Sequence, residues 1–136
     1  MVRSEIRDWL QEAEADLKHA KDCQRLKSYN WACFAAQQSS EKALKAFVMS
    51  FFKKRPSHTH DLTKLFNEAK GKLKLPYEAT EHLGELSSYY TLARYPNAGL
   101  TRPSVGISKT QTERAINIAQ KVLDAVKHAF EGLKHS

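Results

Sequence analysis

Arg94 lies in the segment Tyr89-Tyr90-Thr91-Leu92-Ala93-Arg94-Tyr95-Pro96, which places a guanidinium among three phenol rings. An arginine fork holds phosphate oxygens through paired N–H donors, and aromatic faces stack a nucleobase. The competing role is local: the Arg satisfies terminal carbonyls of its own helix while the tyrosines fill the core. A second polar cluster is Ser57-His58-Thr59-His60-Asp61-Leu62. His60 is a candidate acid/base group, and Thr59 or Asp61 can cap a helix, with capping the expected role of Asp61. His58 and His60, two residues apart and without Cys or Glu beside them, do not have the spacing of a metal site.

The third cluster, Gln37, Gln38, Glu41, Lys42 and Lys45, interrupts an otherwise apolar run. Glu41 and Lys45 have the favourable order for an i,i+4 ion pair. The positive charge is concentrated here and just beyond, since residues 42–76 alone carry a net +7, equal to that of the whole chain. Lys42, Lys45, Lys53 and Lys54 join Arg94, Tyr90 and Tyr95 as expected ligand contacts. Such a segment attracts phosphate or an acidic partner, or stays a solvated lysine-rich face. The glycine-rich phosphate loops, the H-E-x-x-H zinc motif and the G-x-S-x-G hydrolase elbow are all missing, so neither a cofactor nor a metal is expected. Cys23 and Cys33 have neither redox nor zinc spacing and read as reduced structural thiols.

Helices must position these groups. Ile6, Leu10, Ala13, Leu17 and Ala20 recur at three- and four-residue steps behind a possible N-cap at Ser4, predicting a first helix to about Asp22. After the break at residues 25–28, small and large apolar residues from Ala32 to Phe51 mark a second helix ending near Lys53, before Pro56. A shorter third runs from Thr59 to Gly71, and a fourth follows Pro76 and stops before Tyr95-Pro96. Residues 96–108, with two Pro and two Gly, predict an irregular loop. Thr110 and Glu113 have capping-box spacing ahead of a long apolar stripe reaching Leu133.

No run alternates with period two, and 136 residues with five Gly and four Pro suit a few long helices better than many short strands. The expected fold is all-α: an antiparallel up-and-down four-helix bundle with an additional short helix, as one domain over residues 1–136. The longest apolar stretches fall short of the ~20 residues a membrane span needs, and no secretory leader opens the chain, so the expected setting is cytoplasmic.

In order, Ala13-x-x-x-Leu17-x-x-Ala20, Tyr29-x-x-Ala32-Cys33-Phe34-Ala35-Ala36-Gln37-Gln38-Ser39-Ser40-Glu41-Lys42-Ala43-Leu44-Lys45-Ala46, His60-Asp61-Leu62 and Ala93-Arg94-Tyr95-Pro96-Asn97 resemble the HEPN domain family across nearly the whole chain. The resemblance implies a helical bundle, often a homodimer, often encoded beside a minimal nucleotidyltransferase as a toxin–antitoxin pair. Many members are metal-independent RNases or look like their descendants. In that branch an Arg is followed at once by a small polar residue and, a few residues later, by a His. Here only Arg94 matches: Tyr95 takes the polar position, and the next His is His128. The implied function is a nucleotide- or RNA-binding component lacking the usual Arg/His pair. The alternatives are an active endoribonuclease using Arg94 with His60, and a non-catalytic protein-interaction module.

Overall fold

The computed structural model describes residues 4–134, with six helices: α1 (Ser4–Arg25), α2 (Tyr29–Phe51), α3 (Leu62–Ala69), α4 (Tyr77–Leu92), α5 (Pro103–Gly106) and α6 (Lys109–Lys134). The four long ones form the bundle, α3 is the additional short helix, and no strand occurs among the described residues.

α2 is the central helix and packs against all the others. Its apolar residues are accordingly not confined to one stripe, as expected of a helix buried on most sides. Ala13 and Ala20 of α1 and Ala32, Ala36 and Ala43 of α2 are fully buried and let the helices approach closely. Ser39 seals that contact by donating its Oγ–H to the Ala13 carbonyl at 2.7 Å. Phe47, Leu44, Leu65, Leu83, Leu86, Ile118 and Val122 fill the interior between α2, α3, α4 and α6.

The helix ends depart from expectation in instructive ways. α1 is described from Ser4, so its start lies at the edge of the described residues, and it runs on to Arg25, after which Lys27 takes a left-handed φ of 61°. There the Ser28 amide donates to the Cys23 carbonyl and the Lys27 amide to that of Gln24, a Schellman ending built without glycine. α2 stops at Phe51, before Lys53, which also has positive φ. α3 begins at Leu62 because Asp61 is its cap, accepting from the Thr63 and Lys64 amides. Residues 96–108 are not wholly irregular: Pro103, whose fixed φ suits a first helical position, starts the single turn of α5.

The predicted capping box at Thr110 and Glu113 is corrected. The reciprocal pair is Ser108 and Gln111: Ser108 Oγ accepts from the Gln111 amide at 3.0 Å and Gln111 Oε1 from the Ser108 amide at 2.8 Å. The Ser-x-x-Gln spelling satisfies the same two orphan donors two residues earlier. No described helix is long and apolar enough to cross a membrane.

Candidate functional site

The C-terminal end of α4 is fixed from two sides. Asn30, buried in the first turn of α2, donates Nδ2–H to the Ala93 carbonyl at 3.2 Å. Arg94 then folds back and donates Nε–H to the Tyr90 carbonyl at 2.6 Å. The local role foreseen for an Arg at a helix end is therefore real, but it uses only Nε. The guanidinium carbon sits 4.5 Å from the Tyr90 ring centre, 4.6 Å from Phe34 and 4.8 Å from Tyr95. Three ring faces hold the cation without neutralising it. No carboxylate pairs with Arg94 among the described residues, which leaves the terminal N–H groups able to meet an anion.

Tyr90 also carries His60 on its ring: the imidazole stacks at 3.7 Å between centres with an interplanar angle of 11°. Folding thus brings His60 to Arg94 through one shared phenol. His60 is itself held in place. Its Nδ1 lies 2.9 Å from Glu41 Oε1, and its carbonyl accepts from Gln37 Nε2 at 3.0 Å. Ser87 Oγ–H donates to the same carbonyl at 3.4 Å, and Ser87 Oγ accepts from the Leu62 amide at 2.9 Å, tying the start of α3 to α4. The His60 side chain remains 49% exposed. Nδ1 faces the carboxylate, so Nε2 is the ring nitrogen left for another partner.

Glu41 is buried, yet its charge is answered three times, by His60, by Gln37 Nε2 at 3.2 Å and by Lys45 Nζ at 3.0 Å. A buried carboxylate persists only when paired and hydrogen-bonded in this way. The expected Glu41–Lys45 pair is present, and it is also the support beneath His60. That second role is not visible in the sequence, where Glu41 and His60 are nineteen residues apart. The available signal was Gln37 and Glu41, one turn apart on a face of an apolar helix.

The expected ligand contacts divide. Arg94, Tyr90 and Tyr95 come together with His60, while Lys42 and Lys45 each carry an ion pair, Lys42 with Asp16 at 2.6 Å and Lys45 with Glu41 at 3.0 Å. Lys53 and Lys54 are exposed beside Arg55, past the end of α2. At ~1.5 Å rise per residue, that end lies about 25 Å along the helix from Phe34. His128, the next His after Arg94 in sequence, is exposed and about 25 Å along α6 from Thr112, which touches Cys33. Tyr89, unlike its neighbour, belongs to the core, where burial pushes its phenol well above the usual range. Both cysteines are free and buried, and desolvation pushes the Cys33 thiol up to about 11. Among the described residues no three of His, Cys, Asp and Glu gather as a metal site.

The family model described as the HEPN domain matches residues 6–129. Among solved structures, the Thermus thermophilus protein TT1696 is similar at 31% identity and a TM-score of 0.83, over 93% of this chain and 99% of that one. An archaeal HEPN homologue, ST0689, is similar at 27% identity and a TM-score of 0.73, over 90% of this chain and 95% of its own. A HEPN domain protein of Thermotoga maritima matches at 27% identity and a TM-score of 0.70, over 91% and 98% of the two chains. No curated protein matches the chain.

Proposed function

The chain belongs to the HEPN domain family, and from that premise we propose that it binds a phosphate-bearing ligand, RNA or a nucleotide, on the surface made by Arg94, Tyr90, Tyr95 and His60. One observation carries the reading: Arg94 is oriented by its own helix and caged by three rings, with no carboxylate to neutralise it among the described residues. Preorganised donors bind an anion without the ordering cost a free side chain would incur. Arg94→Ala should weaken binding of a 5′-mononucleotide about tenfold or more, the loss expected of a charge-assisted hydrogen bond. Calorimetry on the folded variant measures this, and unchanged affinity would refute it.

A second reading, metal-independent RNA cleavage, draws support from the Glu41–His60 contact and its link to Arg94 through Tyr90. A 2′-OH attack needs a proton acceptor as well as a phosphate clamp, and an imidazole oriented by a carboxylate is suited to the first task. Turnover in the presence of chelator, abolished by both Arg94→Ala and His60→Ala, would promote this reading above simple binding. Turnover that survives both substitutions would rule it out.

Within the same proposal the protein acts as a homodimer and as partner of a minimal nucleotidyltransferase in a toxin–antitoxin pair. Exposed Tyr95 and Val105, flanking half-buried Leu100, support an interface at the end of α4. The nucleotidyltransferase pairing rests on family resemblance.

A further inference from the structure

Phe34 takes part in two arrangements. One is the contact with the Arg94 cation; the other is an open groove of about 360 Å³ between α1 and α2, lined by Asp16 and His19 from α1 and by Trp31, Phe34, Gln38 and Lys42 from α2. We propose that this groove is a subsite for an amino-bearing nucleobase whose phosphate rests on Arg94. The inference builds on the phosphate-binding reading of Arg94 and names what lies next to the phosphate.

The groove has the volume of a small-ligand pocket, for which ~300–1,000 Å³ is usual. Trp31 is 48% exposed, unusual for so large an indole, and meets Phe34 edge to face with centres 6.0 Å apart and planes at 88°. Two rings at right angles make a corner in which a flat base stacks on one and abuts the other. The Arg94 guanidinium carbon is 4.6 Å from the Phe34 ring centre, so base platform and phosphate fork meet at one ring.

The polar lining supplies acceptors. Lys42 donates to Asp16 Oδ2 at 2.6 Å, which leaves Oδ1 with no hydrogen bond among the described residues. That pairing also cancels the charge that would otherwise repel a nearby phosphate. Gln38 spends Nε2 on Gln37 Oε1 at 2.8 Å, leaving its own Oε1 without a hydrogen bond among the described residues. An acceptor-rich edge suits a base with an exocyclic amine and opposes the carbonyl that uracil presents at the corresponding position, as carboxylates do when they accept from cytosine N4. Asp16 is thus the specificity-determining residue, and Trp31 the platform.

The test uses a Trp9→Phe background, in which Trp31 is the remaining tryptophan, titrated with CMP, UMP and ribose 5-phosphate by calorimetry and indole emission. CMP should quench Trp31 and bind about tenfold more tightly than UMP, the scale of one base contact. Ribose 5-phosphate should bind more weakly than CMP, without quenching. Asp16→Asn should bring the CMP to UMP ratio close to one, and Trp31→Ala should reduce CMP to the affinity of ribose 5-phosphate. Equal binding of all three without quenching would overturn the base subsite and leave the phosphate site standing. Binding by none would overturn the phosphate site as well. Emission that follows protein concentration and ignores ligand would overturn the subsite and assign that face to a second copy of the chain.

Discussion

Arg94 is available because its neighbours are aromatic: Tyr90, Tyr95 and Phe34 stabilise the cation but leave its donors unspent. Two of those rings are legible in the local sequence; Phe34, sixty residues away, is not, because helix packing alone brings it there. The same holds for Glu41 and His60, whose contact depends on the exit of α2 and the capping of α3 by Asp61. Where a partner lies within one helical turn, as with Glu41 and Lys45, spacing was a sufficient guide. Glu85 illustrates how such pairs enter stability. Arg114 grips it with Nε at 2.6 Å and Nη2 at 2.8 Å, linking α4 to α6. These hydrogen bonds, opposed by burial and aided by the guanidinium charge, hold its carboxyl below the ordinary value of 4.5. A carboxyl depressed in the folded state contributes stability that is present above its unfolded pKa and lost as pH falls through the folded one. Melting temperature should therefore drop on acidification below about pH 4.5, and drop less steeply in Glu85→Gln; identical slopes in the two proteins would contradict the assignment.

The elements themselves followed from periodicity, since apolar residues at three- and four-residue steps leave little choice but helix. Their ends were harder. Thr110/Glu113 is the pair read from the sequence, but Ser108/Gln111 forms the reciprocal cap, with Ile107 buried just before it, at the position where a staple packs. Gly71 after α3 was readable as a stop, whereas Lys27 after α1 was not, because a lysine rarely takes left-handed φ. That strain makes a prediction. Lys27→Gly retains the Schellman hydrogen bonds and removes the Cβ conflict, so it should stabilise the protein by about 1 kcal/mol. Denaturant midpoints would check this, and a destabilised variant would mean that the left-handed turn costs nothing here.

Charge at the level of the molecule is less concentrated than the sequence makes it look. The excess in residues 42–76 is real, but Lys42 and Lys45 are ion-paired, and Lys53 and Lys54 lie past the end of α2, away from Phe34. In the proposed binding mode that region attracts polyanions at long range while Arg94 holds them at short range. A homodimer with Tyr95 and residues 96–108 near its axis would bring two Arg94 forks to one groove, where their mutual repulsion is relieved by an anion. Sedimentation should then show a dimer tightened by added nucleotide, and a monomer at every concentration would remove the shared groove. In the proposed binding mode Arg94, and not the exposed lysines, forms the binding centre. Single-stranded RNA affinity, measured across a salt series for the wild type, Arg94→Ala and the Lys53→Glu/Lys54→Glu pair, tests it directly. Arg94→Ala should cost about tenfold or more in affinity at every salt concentration. The lysine reversals should weaken binding chiefly at low salt and flatten the salt dependence, as lost counterion release requires. Undiminished affinity in Arg94→Ala, with binding abolished by the lysine reversals, would contradict it.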